Sequence, residues 1–439
     1  MKINISERIF HFRQPAGTSR GVYTERKSWI IELADGERTG IGECAPLPGL
    51  SCDDIPDYEK TLRALCDKFE QEGQIDYNLM RPYPSMLFGL ETALLSLLRS
   101  SGVFRLRSTT RQEWRSVDNS ILRSSGVFRL RSTTRQEFRS SDNTLASNPS
   151  SQDPHPSSNL RSEGVHPTPP PSEGSGEVPP SSLISHPSSN SPSFGGVRGG
   201  SILFNNAFSR GERGIPINGL VWMGSYEEMM QRIEEKLSQG YRCIKLKIGA
   251  IDFDKELDMV RSIRERFSSK ELQIRLDANG GFSYDEALYK MELLSQYAVH
   301  SIEQPIKAKQ WAFMADLCRE SPLPIALDEE LIGVNMPEMK RHILNIIKPA
   351  YIVLKPSLHG GMHGCREWIS IAREMGIGSW ITSALESNIG LNAIAQFTAD
   401  VYGDNITMAQ GLGTGQLFTD NIDMPLEIRD NALWISKNS

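Results

Sequence analysis

Lys245-Leu-Lys247, Asp277-Ala-Asn279, Glu303, Asp328 and Lys355 each close an apolar, strand-like run, and they carry the densest chemistry in the chain. Asp277 and Glu303 stand 26 residues apart, Glu303 and Asp328 stand 25 apart, and Lys355 follows 27 later. Each interval is about one strand plus one helix, so the acids and lysines are expected at the ends of successive strands of one parallel barrel. Period-two reading gives their direction. In Cys243-Ile-Lys-Leu-Lys-Ile248 the apolar Ile244, Leu246 and Ile248 share one face, and Lys245 and Lys247 share the other. The same parity turns Arg275 and Asp277 inward in residues 272–277, and Lys355 inward in residues 351–355. So many charges can be desolvated only if they compensate one another or bind an ion.

Asp277, Glu303 and Asp328 are hard oxygen donors with no histidine or cysteine beside them, a set that suits Mg²⁺, with Mn²⁺ as a substitute, better than zinc. The competing reading is an ionic cluster that only neutralises Lys245 and Lys247. A lysine stays an ammonium at neutral pH unless its surroundings disfavour the charge. At Lys247 the like charge of Lys245, a nearby metal and burial would all act that way and make it a usable base. Lys355 would bracket a substrate from across the barrel; a salt bridge is the structural alternative for either lysine. Asn279 suits a hydrogen bond to the metal shell or substrate, or a plain strand-to-helix turn. Glu329 and Glu330 are expected in a loop or as supporting partners.

The elements that must position these groups begin at Ile217. Strand 217–222, helix 226–237, strand 242–248, helix 254–267, strand 272–277 and helix 284–297 alternate, followed by strands ending at Glu303, Asp328, Lys355 and Ser383. Repeated βα units of this length imply a parallel barrel with its site at the carboxyl ends of the strands. Upstream, residues 1–34 alternate like strands, and 58–72 and 85–98 have helical spacing, which makes a small α+β domain. Between the two parts, residues 98–119 recur almost unchanged at 122–143, and the stretch to Gly200 is dominated by Ser, Pro, Gly and Asn. Such a segment buries too little apolar surface to offset its ordering entropy and reads as a disordered, duplicated insertion. The expected divisions are 1–97, 98–201 (insertion), 202–415 (barrel) and 416–439, whose strand-like residues 426–435 are expected to return to the small domain.

The 439 residues carry a net charge of −6 with a pI near 5.9, which offers no basic field for nucleic acid or an anionic membrane. A small-molecule partner is expected, and the resemblance described below makes it a carboxylate. Six scattered cysteines without a C-x-x-C pair indicate neither a disulfide framework nor zinc. The amino terminus lacks an apolar signal core and no stretch of about 20 apolar residues occurs, so a cytoplasmic location is expected.

The ordered set K-x-K, D-x-N, E, D, K resembles the enolase superfamily, in its muconate-lactonizing subgroup. Gly40-Ile-Gly-Glu-Cys-Ala-Pro-Leu-Pro-Gly-Leu-Ser51, Pro84-Ser-Met-Leu-Phe-Gly-Leu-Glu91, Ser383-Ala-Leu-Glu-Ser-Asn-Ile-Gly-Leu391 and Gly411-Leu-Gly-Thr-Gly415 resemble a dehydratase branch of that subgroup. The resemblance implies a (β/α)7β modified TIM barrel with an α+β capping domain. It implies Mg²⁺ on Asp277, Glu303 and Asp328, binding the ring carboxylate of 2-succinyl-6-hydroxy-2,4-cyclohexadiene-1-carboxylate. Lys247 would remove the α-proton and return it to the departing hydroxyl in a syn elimination. Lys355 would stay protonated and stabilise the enediolate, and the product would be o-succinylbenzoate for menaquinone biosynthesis.

Lys245, Arg275 and Asn279 would support this set. Ser387 and Asn388 open a helix whose free N–H groups could hold the succinyl carboxylate, unless Ser387 is only an N-cap. Gly360-Gly361 would permit close backbone approach at another helix start. The Pro- and Gly-rich 40–51 segment is expected to form a lid loop. An N-acylamino-acid racemase or dipeptide epimerase would use the same lysines on opposite faces. A Schiff-base aldolase would use one lysine but needs no three-acid set. A protein disrupted by its insertion, inactive or serving as a scaffold, is the non-enzymatic alternative.

Overall fold

In the computed structural model, residues 1–18, 21–99 and 202–436 are described, and all of them fall in one compact unit. The insertion expected at 98–201 lies outside the described residues, except that its first two positions complete a helix ending at Arg99.

Three antiparallel strands open the chain: β1 (Lys2–Thr18), β2 (Gly21–Asp35) and β3 (Arg38–Cys44). The β1–β2 ladder runs from Lys2 opposite Ala34 to an irregularity between His11 and Ala16. Helices α1 (Tyr58–Glu72), α2 (Tyr77–Met80) and α3 (Pro84–Arg99) cover this sheet. Their apolar residues at helical spacing, such as Leu62, Leu65 and Phe69 in α1, meet Ile5, Ile31 and Leu33 in one buried cluster. The expected lid loop needs correcting here, because Gly40–Cys44 is strand β3. Its glycines are there for packing. A Cβ on Gly40 would lie 2.2 Å from the Ala93 carbonyl oxygen, and one on Gly42 would lie 2.0 Å from that of Gly89, so α3 lies directly on the strand.

The second layer system is the barrel. Strands β5 (Gly219–Val221), β6 (Cys243–Lys247), β7 (Gln273–Asp277), β8 (Ser301–Glu303), β9 (Ile325–Leu327), β10 (Tyr351–Leu354) and β11 (Gly378–Ile381) pair in parallel and in chain order. Between them lie α4 (Tyr226–Ser238), α5 (Phe253–Arg266), α6 (Tyr284–Ser295), α7 (Trp311–Glu320), α8 (Pro337–Ile347) and α9 (Gly361–Glu374), with α10 (Asn388–Tyr402) after β11. Serine and glutamate form capping boxes that start α4 (Ser225 with Glu228) and α6 (Ser283 with Glu286). Gln410 and Gly411 bridge Ile217 on one side and Thr382 on the other, so a two-residue eighth strand closes the ring and completes the (β/α)7β pattern.

Strand parity holds around the barrel. Ile244, Leu246, Ile274, Leu276, Ile302, Leu327, Ile352 and Leu354 join the large core with helical residues such as Val260, Ile263, Leu317 and Trp368. Ala326, Val353 and Trp380 form a separate small cluster. The carboxyl terminus departs from expectation. Strands β12 (Leu426–Arg429) and β13 (Ala432–Ile435) form a hairpin on β4 (Ile215–Pro216), at the entrance to the barrel, and do not join the small sheet. Leu433 packs into the barrel core, which is why the hairpin stays there. Contact with the small sheet is made earlier, where Phe418 bridges Phe12 and the Thr419 N–H donates to the His11 carbonyl.

Candidate active site

The carboxyl ends of β6 and β7 lie side by side, with Lys247 opposite Asp277 in register and Asp277 opposite Glu303 on β8. Asp328 and Lys355 follow directly on β9 and β10. Lys247, Asp277, Glu303 and Asp328 are buried, as is Lys245 beneath them, Lys355 is mostly so, and their charges pair. Lys245 Nζ lies 2.8 Å from Asp277 Oδ2 and 2.7 Å from Glu303 Oε2. Lys247 Nζ donates to Asp277 Oδ2 at 2.9 Å and to Asn279 Oδ1 at 2.6 Å. Lys355 Nζ pairs with Asp328 Oδ2.

Burial pushes the Asp277 carboxyl up, but the Lys245 and Lys247 ammoniums outweigh it and hold it well below the usual carboxylate range. Glu303 goes the other way, raised by burial and then by the Asp277 charge beside it. Burial also opposes the charge on Asp328, yet Lys355 keeps its carboxyl low. Lys245 and Lys355 mirror these partners: burial lowers each, and the carboxylates around them more than restore the ammonium.

Among the described residues no three His, Cys, Asp or Glu side chains are gathered into a ready cation cage. The donor set nevertheless fits a hard divalent ion. Asp277 and Glu303 already share one cation, Lys245, and Asp328 Oδ1 is a buried carboxylate oxygen with no hydrogen-bond partner among the described residues. Burying an anionic oxygen without a partner is costly, and a divalent cation is the partner that would remove that cost.

Supporting groups fix this cluster. Asn279, at φ +45°, donates its backbone N–H to Asp277 Oδ1 at 3.1 Å and its side-chain amide to Glu329 at 2.9 Å. Gln304 accepts the N–H groups of Asp328 and Glu330. His359 Nδ1 accepts the Lys355 backbone N–H at 2.8 Å, and burial depresses its imidazole to about 3, so it is neutral. Arg275 donates to the Ala409 carbonyl and lies over the Trp380 ring. It supports the inner wall and does not line the cavity.

A cavity of 360 Å³ opens above the cluster. Lys245, Lys247, Asp277, Asn279, Glu329 and Lys355 line its charged end. The rest of the wall includes Trp222, Trp380, residues 382–385, Gly411, Gly413 and Thr414 from the barrel, with Arg13, Leu47 and Leu50 from the small domain. Leu47 and Leu50 place the 45–51 part of the expected lid at the cavity. Sequence reading missed Thr414, although it lies in the Gly411–Gly415 motif: its hydroxyl is buried and has no hydrogen-bond partner among the described residues. It also missed Trp222, whose ring lies 5.9 Å from Lys247 Nζ.

The four residues expected to hold substrate at helix starts are occupied otherwise. Glu43 of β3 accepts the N–H groups of Ser387 and Gly390 and the Ser387 hydroxyl at 2.6–3.0 Å. Ser387 also caps α10 by accepting the Ile389 N–H. Asn388 donates to the Ile422 carbonyl. Glu91 of α3 accepts the Met362 and His363 N–H groups at 2.6 and 3.0 Å, and a Cβ on Gly361 would lie 2.4 Å from Glu91 Oε2. Gly360 opens the same helix, and neither Gly360, Gly361, Ser387 nor Asn388 lines the cavity. Both helix N-termini do bind carboxylates, but those of the small domain.

Residues 228–438 match the family model described as Enolase C-terminal domain-like, and residues 18–97 match MenC, N-terminal domain. The o-succinylbenzoate synthase of Desulfotalea psychrophila is 40% identical over 456 residues, spanning 97% of this chain and 96% of that protein. The crystal structure of MenC from the same organism matches with a TM-score of 0.65 and 34% identity, covering 99% of both chains. The L-Ala-D/L-Glu epimerase of Bacillus subtilis is 28% identical over 41% of this chain and 48% of its own length. This chain therefore belongs to the o-succinylbenzoate synthase family of the enolase superfamily.

Proposed function

We propose that the chain dehydrates 2-succinyl-6-hydroxy-2,4-cyclohexadiene-1-carboxylate to o-succinylbenzoate, a hydro-lyase step of menaquinone biosynthesis, with Lys247 and Lys355 as its proton-handling groups. One observation carries the assignment of roles: two lysines from strands far apart around the barrel line one cavity, with three buried carboxylates between them.

Asp277, Glu303 and Asp328 would hold Mg²⁺, or Mn²⁺ in its place. When bound, the ion supplies positive charge that favours the extra negative charge on the substrate's ring carboxylate. Lys247 is oriented for proton transfer. As a neutral amine it has two N–H bonds, which Asp277 and Asn279 accept, leaving its lone pair free to take the α-proton. The electron pair left behind forms the enediolate and then expels the neighbouring hydroxyl, which takes the proton from Lys247 and departs as water. Lys355 remains an ammonium, consistent with its upward shift, and offsets the enediolate charge from the other face.

The succinyl carboxylate has its natural partners in Arg13, a cavity-lining cation with no acidic partner among the described residues, and in the Thr414 hydroxyl. Purified protein with the cyclohexadiene substrate and Mg²⁺ should form the aromatic product, and EDTA should stop it. Racemisation of an N-acyl amino acid without dehydration would favour the epimerase reading. Absence of both activities would reject the assignment. Among the described residues no helix is long and apolar enough to cross a membrane.

A further inference from the structure

Arg26, in the middle of β2, is 1% exposed, and its hydrogen bonds to the described residues all go to backbone carbonyls. Its Nη1 donates to the Pro46 carbonyl and its Nη2 to that of Ala45 at 2.5 Å. Nε donates to the Leu385 carbonyl at 3.3 Å, and Nη2 reaches that of Ala384 at 3.5 Å. One planar guanidinium thus ties a small-domain loop to a barrel loop more than 300 residues away.

Those two loops are opposite sides of one working surface. The first continues into Leu47 and Leu50 and the second carries Ser383, Ala384 and Leu385, all of which line the cavity. Leu385 sits at φ +66°, a conformation a leucine holds only when its surroundings enforce it. The enforcing contacts are Arg26 on its carbonyl and the Ser383 hydroxyl accepting its N–H at 3.0 Å. Burial of the guanidinium is costly, and the nearby carboxylates of Glu386 and Glu43 offset part of that cost. Glu386 itself accepts the Ser383 hydroxyl and the Ala384 N–H, so the compensating charge is built into the same loop.

We propose that Arg26 is a positioning residue for substrate binding, which fixes the Leu47–Leu50 loop and the Ser383–Leu385 loop as one preformed wall of the cavity. The wall touches the non-reacting part of the substrate, whereas the lysines and carboxylates are held by other contacts. Loosening it therefore removes binding shared by ground and transition states, which appears in KM and not in kcat.

This inference rests on the dehydratase reading for its kinetic arm, and a second arm is independent of substrate. Arg26→Lys keeps the charge but cannot reach four carbonyls. Its KM for the cyclohexadiene substrate should rise about tenfold or more while kcat stays within about threefold. Hydrogen exchange, measured without substrate, should accelerate in residues 44–51 and 383–387 and stay unchanged in the strands β6–β8. Pro46→Gly, which leaves Arg26 and its buried charge in place, should move both readouts in the same direction if Arg26→Lys folds poorly. Wild-type protein that fails to turn over the substrate would count against the dehydratase reading and leave the exchange arm to decide this one. Exchange that rises uniformly across the chain, or stays unchanged in both loops, would overturn the proposal. So would a tenfold loss of kcat at constant KM, or kinetics within about twofold of wild type in both variants.

Discussion

Replacing Asn279 with glycine tests how Lys247 is made ready for proton transfer. The substitution deletes the 2.6 Å hydrogen bond from Lys247 Nζ and the 2.9 Å bond to Glu329. It keeps the backbone N–H that holds Asp277, and it suits the φ of +45° at this position. A hydrogen bond to a charged group is worth about 1.5–3 kcal/mol, and Lys247 carries a charge once it has taken the α-proton, so the bond to Asn279 strengthens as the transfer proceeds. If all of that is expressed in the proton-transfer step, at about 1.4 kcal/mol per tenfold, kcat should fall roughly 10- to 150-fold. Asn279→Ala should lose as much activity and should also be about 1 kcal/mol or more less stable than the glycine variant, because alanine resists the left-handed region. The assays are steady-state formation of the aromatic product and urea unfolding, with Mg²⁺ affinity measured as a control for the integrity of the carboxylates. A glycine variant retaining more than half of wild-type kcat would refute the orienting role. Equal stability of the two variants would refute the backbone argument.

Three further outcomes are expected. Lys247→Ala and Lys355→Ala should each lose about 10²- to 10⁴-fold in turnover while remaining folded, as seen by circular dichroism. Glu91, raised from 4.5 to about 7 by burial, should make stability fall as pH rises. The folded state holds its proton more tightly than the unfolded state does, so the contribution is complete below about 4.5 and is lost through about 7, for a total of about 3 kcal/mol. Glu91→Gln should flatten that part of the pH–stability curve from urea titrations. Gly42→Ala should cost about 1–3 kcal/mol or more, because α3 must move off β3 to admit the methyl group, and the thermal midpoint reports it.

The charged cluster was legible from sequence because a barrel strand has a strict period of two. Lysine, arginine and aspartate at alternate positions among isoleucines and leucines leave one interior face for all of them. Helix limits were legible where serine and glutamate form local capping boxes, as at Ser225 and Ser283. What stayed hidden depends on contacts between distant residues. Gly40 and Gly42 have the composition of a loop, and only the α3 backbone above them explains their place in a strand. Arg26 looks like one more alternating strand residue until the carbonyls of 384 and 385 are placed beside it. The 426–435 hairpin has the pattern of a strand pair, but pattern alone does not name the edge it joins.

The starts of α9 and α10 show a more general limit. A helix N-terminus favours an anion whatever its source, so a glycine pair or an Asx/Ser start marks a place for a carboxylate without choosing the carboxylate. Three acids could take these two helix starts: Glu43, Glu91 and the free succinyl end of the substrate. The two tethered ones have a large advantage, because the fold holds them beside the helix at high effective concentration while the substrate must bring its carboxylate from solution. Glu43 and Glu91 consequently serve to dock the small domain on the barrel. On the proposed reading the substrate's second carboxylate goes instead to the cavity wall, to the Arg13 guanidinium, which has no acidic partner among the described residues, and to the Thr414 hydroxyl.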